Sequence, residues 1–429
     1  LVGHLRQLRR DRLGFLTRVA REHGDMVELR LGRYPLHLIS HPDLVHEVLV
    51  TRQRVYRKGP ILRRARVVLG DGLLTSEGEH HRRQRRLVNR AFHPSRIAGY
   101  AQTMVAEAEH TGDRWRAGQP VDVHAEMVRA TLTVAGRTLF DTDVAADVAA
   151  IGRALDDVLS AYELVVVPAA WRLHRLPVGP FRRLRRGRDT LDGIVRRMAA
   201  ARRADGRDRG DLLSTLVLAG DDGPAMTDDQ IRDQIVTLLL AGHETTANAL
   251  TFAWHLLAAD PDVEARLHAE LNAVLGGRTA TVADCDHLPY TRGVIAEALR
   301  LYPPSWAMAR EVRTAHELGG HALAPGHVVV VSQWVVHRDP RWWPEPLRFA
   351  PQRWTGDAAT DRPRHAFFPF GAGSRQCIGE SFAWTEAVLA LATLARRWRL
   401  RPVPGRPLTL APLLTLRPRD GLWMRPEPR

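Results

Sequence analysis

Apolar positions recur every three or four residues through most of the chain, the signature of helices with one buried face. That spacing predicts a helix over 5–23, arginine-rich on its outer side and ended by Gly24. Over 26–31 and 36–39 alternation replaces it, which reads as a short hairpin, and Pro42 then opens a helix running to about Leu49. Residues 55–76 show no clear period. Helical spacing resumes at 78–86 and continues through 100–116 and 123–140, while the stretch 144–203 is broken at Pro168, Pro177 and Pro180. The longest uninterrupted pattern covers 228–259, with Thr227 and Gln230 placed as a capping box and Asp260-Pro261 as its stop. Residues 292–301 and 381–397 add two helices. Strands of a small sheet are expected at 318–320 and 328–331, and Leu413-Leu414-Thr415-Leu416 begins a closing hairpin. The expected fold is mainly α with small β-sheets, a single domain over 1–429, since no linker, repeat or charge block divides the chain.

Composition changes this picture little. Apolar residues make up 45%, enough for a sizeable core, and no uninterrupted apolar run of about 18 residues predicts a membrane span. The net charge of +14 raises nucleic acid, an anionic membrane or an acidic protein as partners. Lys58 is the only lysine, however, so the excess is arginine, as GC-rich coding produces. No DNA- or RNA-binding motif accompanies it, and a nucleic-acid function would rest on charge alone. Cys285 and Cys377 are the only cysteines, in contexts that do not pair them, which implies a reducing cytoplasm. The sequence opens on Leu1, so its natural start is expected to be trimmed, and an anchor or leader ahead of it is left open.

Two clusters carry chemistry. In Phe370-Gly371-Ala372-Gly373-Ser374-Arg375-Gln376-Cys377-Ile378-Gly379 a glycine-rich loop delivers one cysteine to the start of an apolar helix. Backbone N–H groups and the positive end of the dipole there would favour a thiolate. A dinucleotide loop is excluded, because no apolar strand precedes Gly371 and no third glycine has the required spacing. The second cluster, Ala241-Gly242-His243-Glu244-Thr245-Thr246, interrupts the apolar pattern of the longest helix with groups that are costly to bury unless paired or used. On 78–86, His81 and Arg85 are four apart and share one helix face. Glu297 and Arg300 do the same three apart. Arg33 and Tyr34 near the first hairpin are candidates to anchor a carboxylate, although an exposed turn arginine is the plainer reading. Cys285 reads as a bystander.

The pattern Phe370-x-x-Gly373-x-Arg375-x-Cys377-x-Gly379 matches the haem-binding signature of the cytochrome P-450 family at every specified position, and the chain resembles that family, in its bacterial soluble form, over nearly its whole length. The resemblance implies haem b (iron protoporphyrin IX) held between the 228–259 helix and the cysteine loop. Cys377 would be its thiolate ligand, a donor that favours O–O cleavage. Phe370 would shield the sulfur, and His81, Arg85, Arg310 and Arg375 would meet the propionates. Ala241 to Thr246 resembles the oxygen-activation motif. In that reading Gly242 permits a local widening of the helix, Thr245 hydrogen-bonds the oxygen being activated, Glu244 relays protons, and His243 is a pocket or hydrogen-bonding residue. Glu297, Arg300 and Arg353 match the family's buried ion-pair network. Pro346-Leu347-Arg348-Phe349 is a decoy for the Arg353 segment, and Gln352 and Trp354 stand where most members carry Glu and Phe. His337 would be structural.

The implied function is a cytoplasmic haem-thiolate monooxygenase that inserts one atom of O2 into a hydrophobic small molecule. No flavin or iron–sulfur segment is present, so electrons would come from a ferredoxin and its reductase. The lysine-poor, arginine-rich pattern resembles an actinobacterial enzyme of specialised metabolism, which points to a terpenoid substrate. A fatty acid is the alternative, since the Gly-His-Glu-Thr-Thr and Cys-Ile-Gly segments also resemble fatty-acid hydroxylases. A peroxide-driven enzyme is disfavoured by the intact Glu244-Thr245 pair.

Overall fold

A computed structural model describes residues 4–31, 34–141, 148–160, 179–218, 226–356 and 362–429. Its helices are α1 (Leu5–Arg10), α2 (Arg12–His23), α3 (Pro42–His46), α4 (Pro60–Leu69), α5 (Gly78–Asn89), α6 (Pro94–Arg114), α7 (Val123–Leu139), α8 (Val148–Ser160), α9 (Gly179–Asp205), α10 (Leu212–Leu218), α11 (Asp228–Ala259), α12 (Pro261–Leu275), α13 (Pro289–Leu301), α14 (Gln333–Val336) and α15 (Glu380–Ala395). The strands are β1 (Met26–Leu31), β2 (Tyr34–Ile39), β3 (Tyr56–Lys58), β4 (Val121–Asp122), β5 (Met308–Val312), β6 (His316–Leu318), β7 (His321–Leu323), β8 (Val328–Val331), β9 (Trp398–Pro402), β10 (Leu410–Pro412), β11 (Leu416–Pro418) and β12 (Trp423–Pro428). Two compact units are built from interleaved segments. Leu1–Arg63, Gly293–Cys377 and Leu410–Arg417 form the first, and Arg64–Arg292, Ile378–Thr409 and Pro418–Arg429 the second.

The first unit holds a five-stranded sheet in the order β1-β2-β8-β5-β3. β1 and β2 form the expected hairpin, with Met26 opposite Ile39, and β2 runs parallel to β8. The single helix expected over 5–23 is two helices. Asp11 leaves helical geometry at φ −151, and its carboxylate accepts from the Gly14 N–H at 2.9 Å, capping α2. The helix opened by Pro42 is α-helical only to His46. It continues as a π-turn over Glu47–Thr51, closed by Arg52 N–H on the Glu47 carbonyl at 2.8 Å.

One carboxylate organises the unit's interior. Glu297 and Arg300, both fully buried, form a two-pronged pair at 2.7 and 2.8 Å. Arg300 spends its remaining donors on the carbonyls of His337 (2.8 Å), Pro346 (2.7 Å) and Arg348 (3.1 Å). Glu297 accepts in addition from Ala350 N–H at 3.1 Å and the Trp354 indole at 2.9 Å, with Arg353 Nε 3.4 Å away. Arg348 contributes only its backbone, and its side chain pairs with Glu345. The two segments that looked alike in sequence are thereby told apart. Gln352 is exposed, which is why the charge usual at that position is dispensable.

In the second unit α11 is buried along most of its length, with α7 packed on it through Thr131 Oγ on the His243 carbonyl at 2.9 Å. Both halves of the Thr227–Gln230 capping box form, and Asp260 ends α11 while capping α12 through Val263 N–H at 3.1 Å. Residues 55–76, expected to be irregular, contain β3 and α4 and then a strap. Asp71 N–H donates to Asp233 at 2.6 Å and Leu73 N–H to Gln234 at 3.2 Å, fastening the strap to α11. Gly72 lies so close to α11 that a Cβ would meet the Asp233 carbonyl at 2.5 Å. Pro180, read as a break, sits in the first turn of α9, where its missing N–H costs nothing. Pro168 and Pro177 lie outside the described residues.

Replacing Glu297 by Gln should leave Arg300 buried beside a neutral amide and cost ~3–5 kcal/mol of stability. Trp354→Phe should remove one charge-assisted hydrogen bond and cost ~1–3 kcal/mol. Denaturant titration of both variants should rank them in that order.

Candidate functional site

In the first unit the cysteine loop is fixed by its own backbone. Gly371 N–H donates to the Phe368 carbonyl at 3.0 Å, Gln376 N–H to Gly373 at 3.1 Å and Cys377 N–H to Phe370 at 2.9 Å. Gly373 has φ +69, and a Cβ there would lie 2.1 Å from the Leu49 carbonyl, inside the π-turn. Gln53 completes the seat by accepting from Ser374 N–H at 2.9 Å. At the loop's root, Phe368 N–H donates to His337 Nε2 at 3.0 Å, and His337 lends its carbonyl to Arg300. The ion-pair network is thereby linked to the loop through one buried histidine. Cys377 itself is exposed, and Phe370 and Arg375 beside it are half-buried. The cysteine does not sit on the first turn of a helix as the sequence suggested. Gly379 caps α15, which starts at Glu380, and the Cys377 N–H is already used within the loop. Arg310 lies half-buried on β5.

The second unit carries the other candidates. On α5, His81 is buried and Arg85 half-buried on the same face, whereas Arg82 and Arg86 are exposed. Gly379 packs against Phe92, whose ring a Cβ would meet at 3.4 Å. On α11, Ala241, Gly242 and Thr245 form an accessible stripe on a helix that is otherwise mostly buried, and Glu244 and His243 are buried. The expected widening at Gly242 is absent. The segment is α-helical throughout, with Thr245 Oγ bonded back to the Ala241 carbonyl at 2.9 Å and Ala135 of α7 the neighbour that a Cβ on Gly242 would meet, at 3.8 Å. His243 donates from Nδ1 to the Leu239 carbonyl at 2.5 Å, and burial lowers its pKa, so it is a neutral hydrogen-bonding residue. Cys285 is half-buried, its thiol pushed up to about 11 by burial and then by Asp286 and Asp284, which keeps it protonated and unreactive. Arg33 lies outside the described residues.

One group escaped the sequence reading. Glu386 is fully buried in α15, and burial raises its carboxyl well above the ordinary range. The Thr246 hydroxyl opposes part of that shift without reaching hydrogen-bonding geometry, and among the described residues neither carboxyl oxygen has a hydrogen-bond partner. The signal was a lone Glu inside the apolar run Ala383-Trp384-Thr385-Glu386-Ala387-Val388.

The accessible thiol on a backbone-fixed loop, the His81–Arg85 face and the α11 stripe are the donor and contact types a haem-thiolate protein needs. The family model for cytochrome P-450 matches residues 1–423. Cyclooctatin synthase of Streptomyces melanosporofaciens is 46% identical, over 100% of this chain and 94% of its own. Cyclooctat-9-en-7-ol 5-monooxygenase of the same organism is 43% identical over 95% and 89%, and pentalenene oxygenase of Streptomyces avermitilis 38% over 96% and 92%. A crystal structure of a cytochrome P-450 superposes with a TM-score of 0.87 at 30% identity, covering 97% of this chain and 98% of that one. The chain belongs to the cytochrome P-450 family of haem-thiolate monooxygenases. It follows that it uses O2, a redox partner and a hydrophobic substrate.

The sign of the Glu386 effect is testable. The unfolded chain ionises this carboxyl near its ordinary value, whereas the folded chain keeps it protonated. Its favourable contribution is complete at acid pH and drains away as pH rises towards the raised folded value. Glu386→Gln should therefore flatten the fall in melting temperature as pH rises above the ordinary carboxyl range, with little change at the acid end.

Proposed function

We propose that Cys377 is the axial thiolate of a haem b and that the enzyme oxygenates a terpenoid of bacterial specialised metabolism with electrons from a ferredoxin-type donor. The observation that supports the ligand assignment is the exposed sulfur on a loop that hydrogen bonds and the Gly373–Leu49 contact hold in one conformation. When bound, a thiolate-ligated haem supplies the activation of O2 that insertion into a C–H or C=C bond requires. Arg375 and Arg310 in the first unit, and His81 with Arg85 in the second, are the donors assigned to its propionates. Thr245 offers its hydroxyl from the accessible stripe of α11, and giving up its bond to Ala241 frees it to donate outward. Glu244, one residue earlier and buried, is assigned the proton relay. The family match over 1–423 supports reading 1–429 as one haem domain. A cytoplasmic location fits the two free cysteines, and no described helix is long and apolar enough to cross a membrane.

Relatives named for pentalenene and cyclooctat-9-en-7-ol support a substrate without an ionised group. No described observation favours a fatty acid.

Reduction and carbon monoxide should give the purified protein a strongly red-shifted Soret band that Cys377→Ser abolishes; a retained band would reassign the ligand. Thr245→Ala should keep the band while releasing peroxide in place of product, and Glu244→Gln should slow turnover about 10²-fold. Low-spin to high-spin shifts with cyclic terpenes but not with fatty acids would establish the substrate class, and the reverse would overturn it.

A further inference from the structure

We infer that the outer face of α9 carries a binding site for a phosphate group. Arg182, Arg183, Arg185 and Arg186 are all exposed, while Phe181, Leu184, Leu191 and Ile194 are buried on the opposite face. The helix is seated closely on α8, where a Cβ on Gly187 would meet the Ala154 carbonyl at 2.7 Å. The arginines are therefore displayed by a helix that cannot roll. Arg182, Arg185 and Arg186 line a concavity of about 620 Å³ with Asp189 and Thr190.

The internal partners do not account for the cluster. Arg186 is held by Asp157 at 2.8 and 3.2 Å, and Arg188 donates to the Val67 carbonyl at 3.0 Å. Among the described residues neither Arg182 nor Arg185 has a hydrogen bond or an ion pair. The arrangement is locally unfavourable. Like charges three and four apart on one helix repel, and cations near a helix N-terminus oppose its dipole. The first turn of α9 holds no acidic residue to offset them. Arginine-rich coding explains the choice of arginine over lysine, but not two guanidiniums left without an internal partner side by side.

A phosphate group seated between Arg182 and Arg185 would reverse each of these terms. Arg186 is already neutralised by Asp157, so the charges open to a ligand are those of Arg182 and Arg185, and with Asp189 beside them they leave one net positive charge for a phosphate oxygen to meet. Planar guanidinium forks match phosphate oxygens in pairs, and the Thr190 hydroxyl adds a neutral donor. A lipid headgroup and a free phosphate compound share this chemistry.

The test uses haem-loaded enzyme and the variant Arg182→Gln/Arg185→Gln, both changes being at exposed positions outside the haem machinery. Calorimetric titration with inorganic pyrophosphate at low salt should show saturable binding to wild type, weakened about tenfold or more in the variant. Pyrophosphate should raise the melting temperature of wild type only, with the carbon monoxide spectrum unchanged in both. Cosedimentation with phosphatidylcholine vesicles containing phosphatidic acid, released by pyrophosphate, would identify a lipid headgroup as the source. Binding of pyrophosphate without vesicle retention would identify a free ligand. No saturable pyrophosphate binding to wild type, or equal binding by wild type and variant, would overturn the site.

Discussion

A single buried carboxylate holds the first unit together. Glu297 accepts from the Arg300 guanidinium, an indole and a backbone amide and pairs with the Arg353 guanidinium, so it draws on two separate segments of the chain. Ionic groups removed from water on this scale gain little net stability over an apolar core, but they punish any misplacement of a partner. What they contribute is uniqueness of register. Arg300 reads out three backbone carbonyls in the 337–348 region, so that stretch, which has little regular structure of its own, has few other ways to lie. Through His337 the same constraint reaches the root of the cysteine loop.

The second unit solves a different problem, which is how to keep polar groups inside a long buried helix. Thr251 answers it locally by bonding back to the carbonyl four residues earlier, at 2.6 Å. His243 does so with a ring nitrogen, and Asn248 takes a partner on α7, His124, at 3.0 Å. Glu386 has no such answer. It remains tolerable because it is neutral, so the protein carries a protonated carboxyl against the polar turn of α11 at a pH where most carboxyls have none.

Much of this was legible in the residues, and the exceptions have physical causes. The capping box of α11 and the Glu297–Arg300–Arg353 set were readable because their geometry follows from short, fixed spacings. The break at Asp11 was hidden because an aspartate in a charged run looks like surface until its backbone turns. Helix α4 was missed because its arginines, Arg63, Arg64 and Arg66, obscure the spacing of Ile61, Leu62 and Ala65. The unwidened α-helix at Gly242 was not readable because a glycine permits a widened turn without requiring one. Glu386 was passed over because a periodic apolar face invites averaging across its one charge.

The π-turn at Glu47–Thr51 bears on how this chain can change over generations. Its hydrogen bond spans one more residue than an ordinary helical turn, and the Leu49 carbonyl that lies against Gly373 belongs to it. Substitutions within the turn leave its length alone, and the seat of the cysteine loop can survive them. A deletion of one residue would restore a regular helix, locally the more comfortable structure, and swing that carbonyl away. A substitution in this turn is thus compatible with the Leu49–Gly373 contact in a way that a change of length is not, and the contact serves a cysteine loop hundreds of positions downstream.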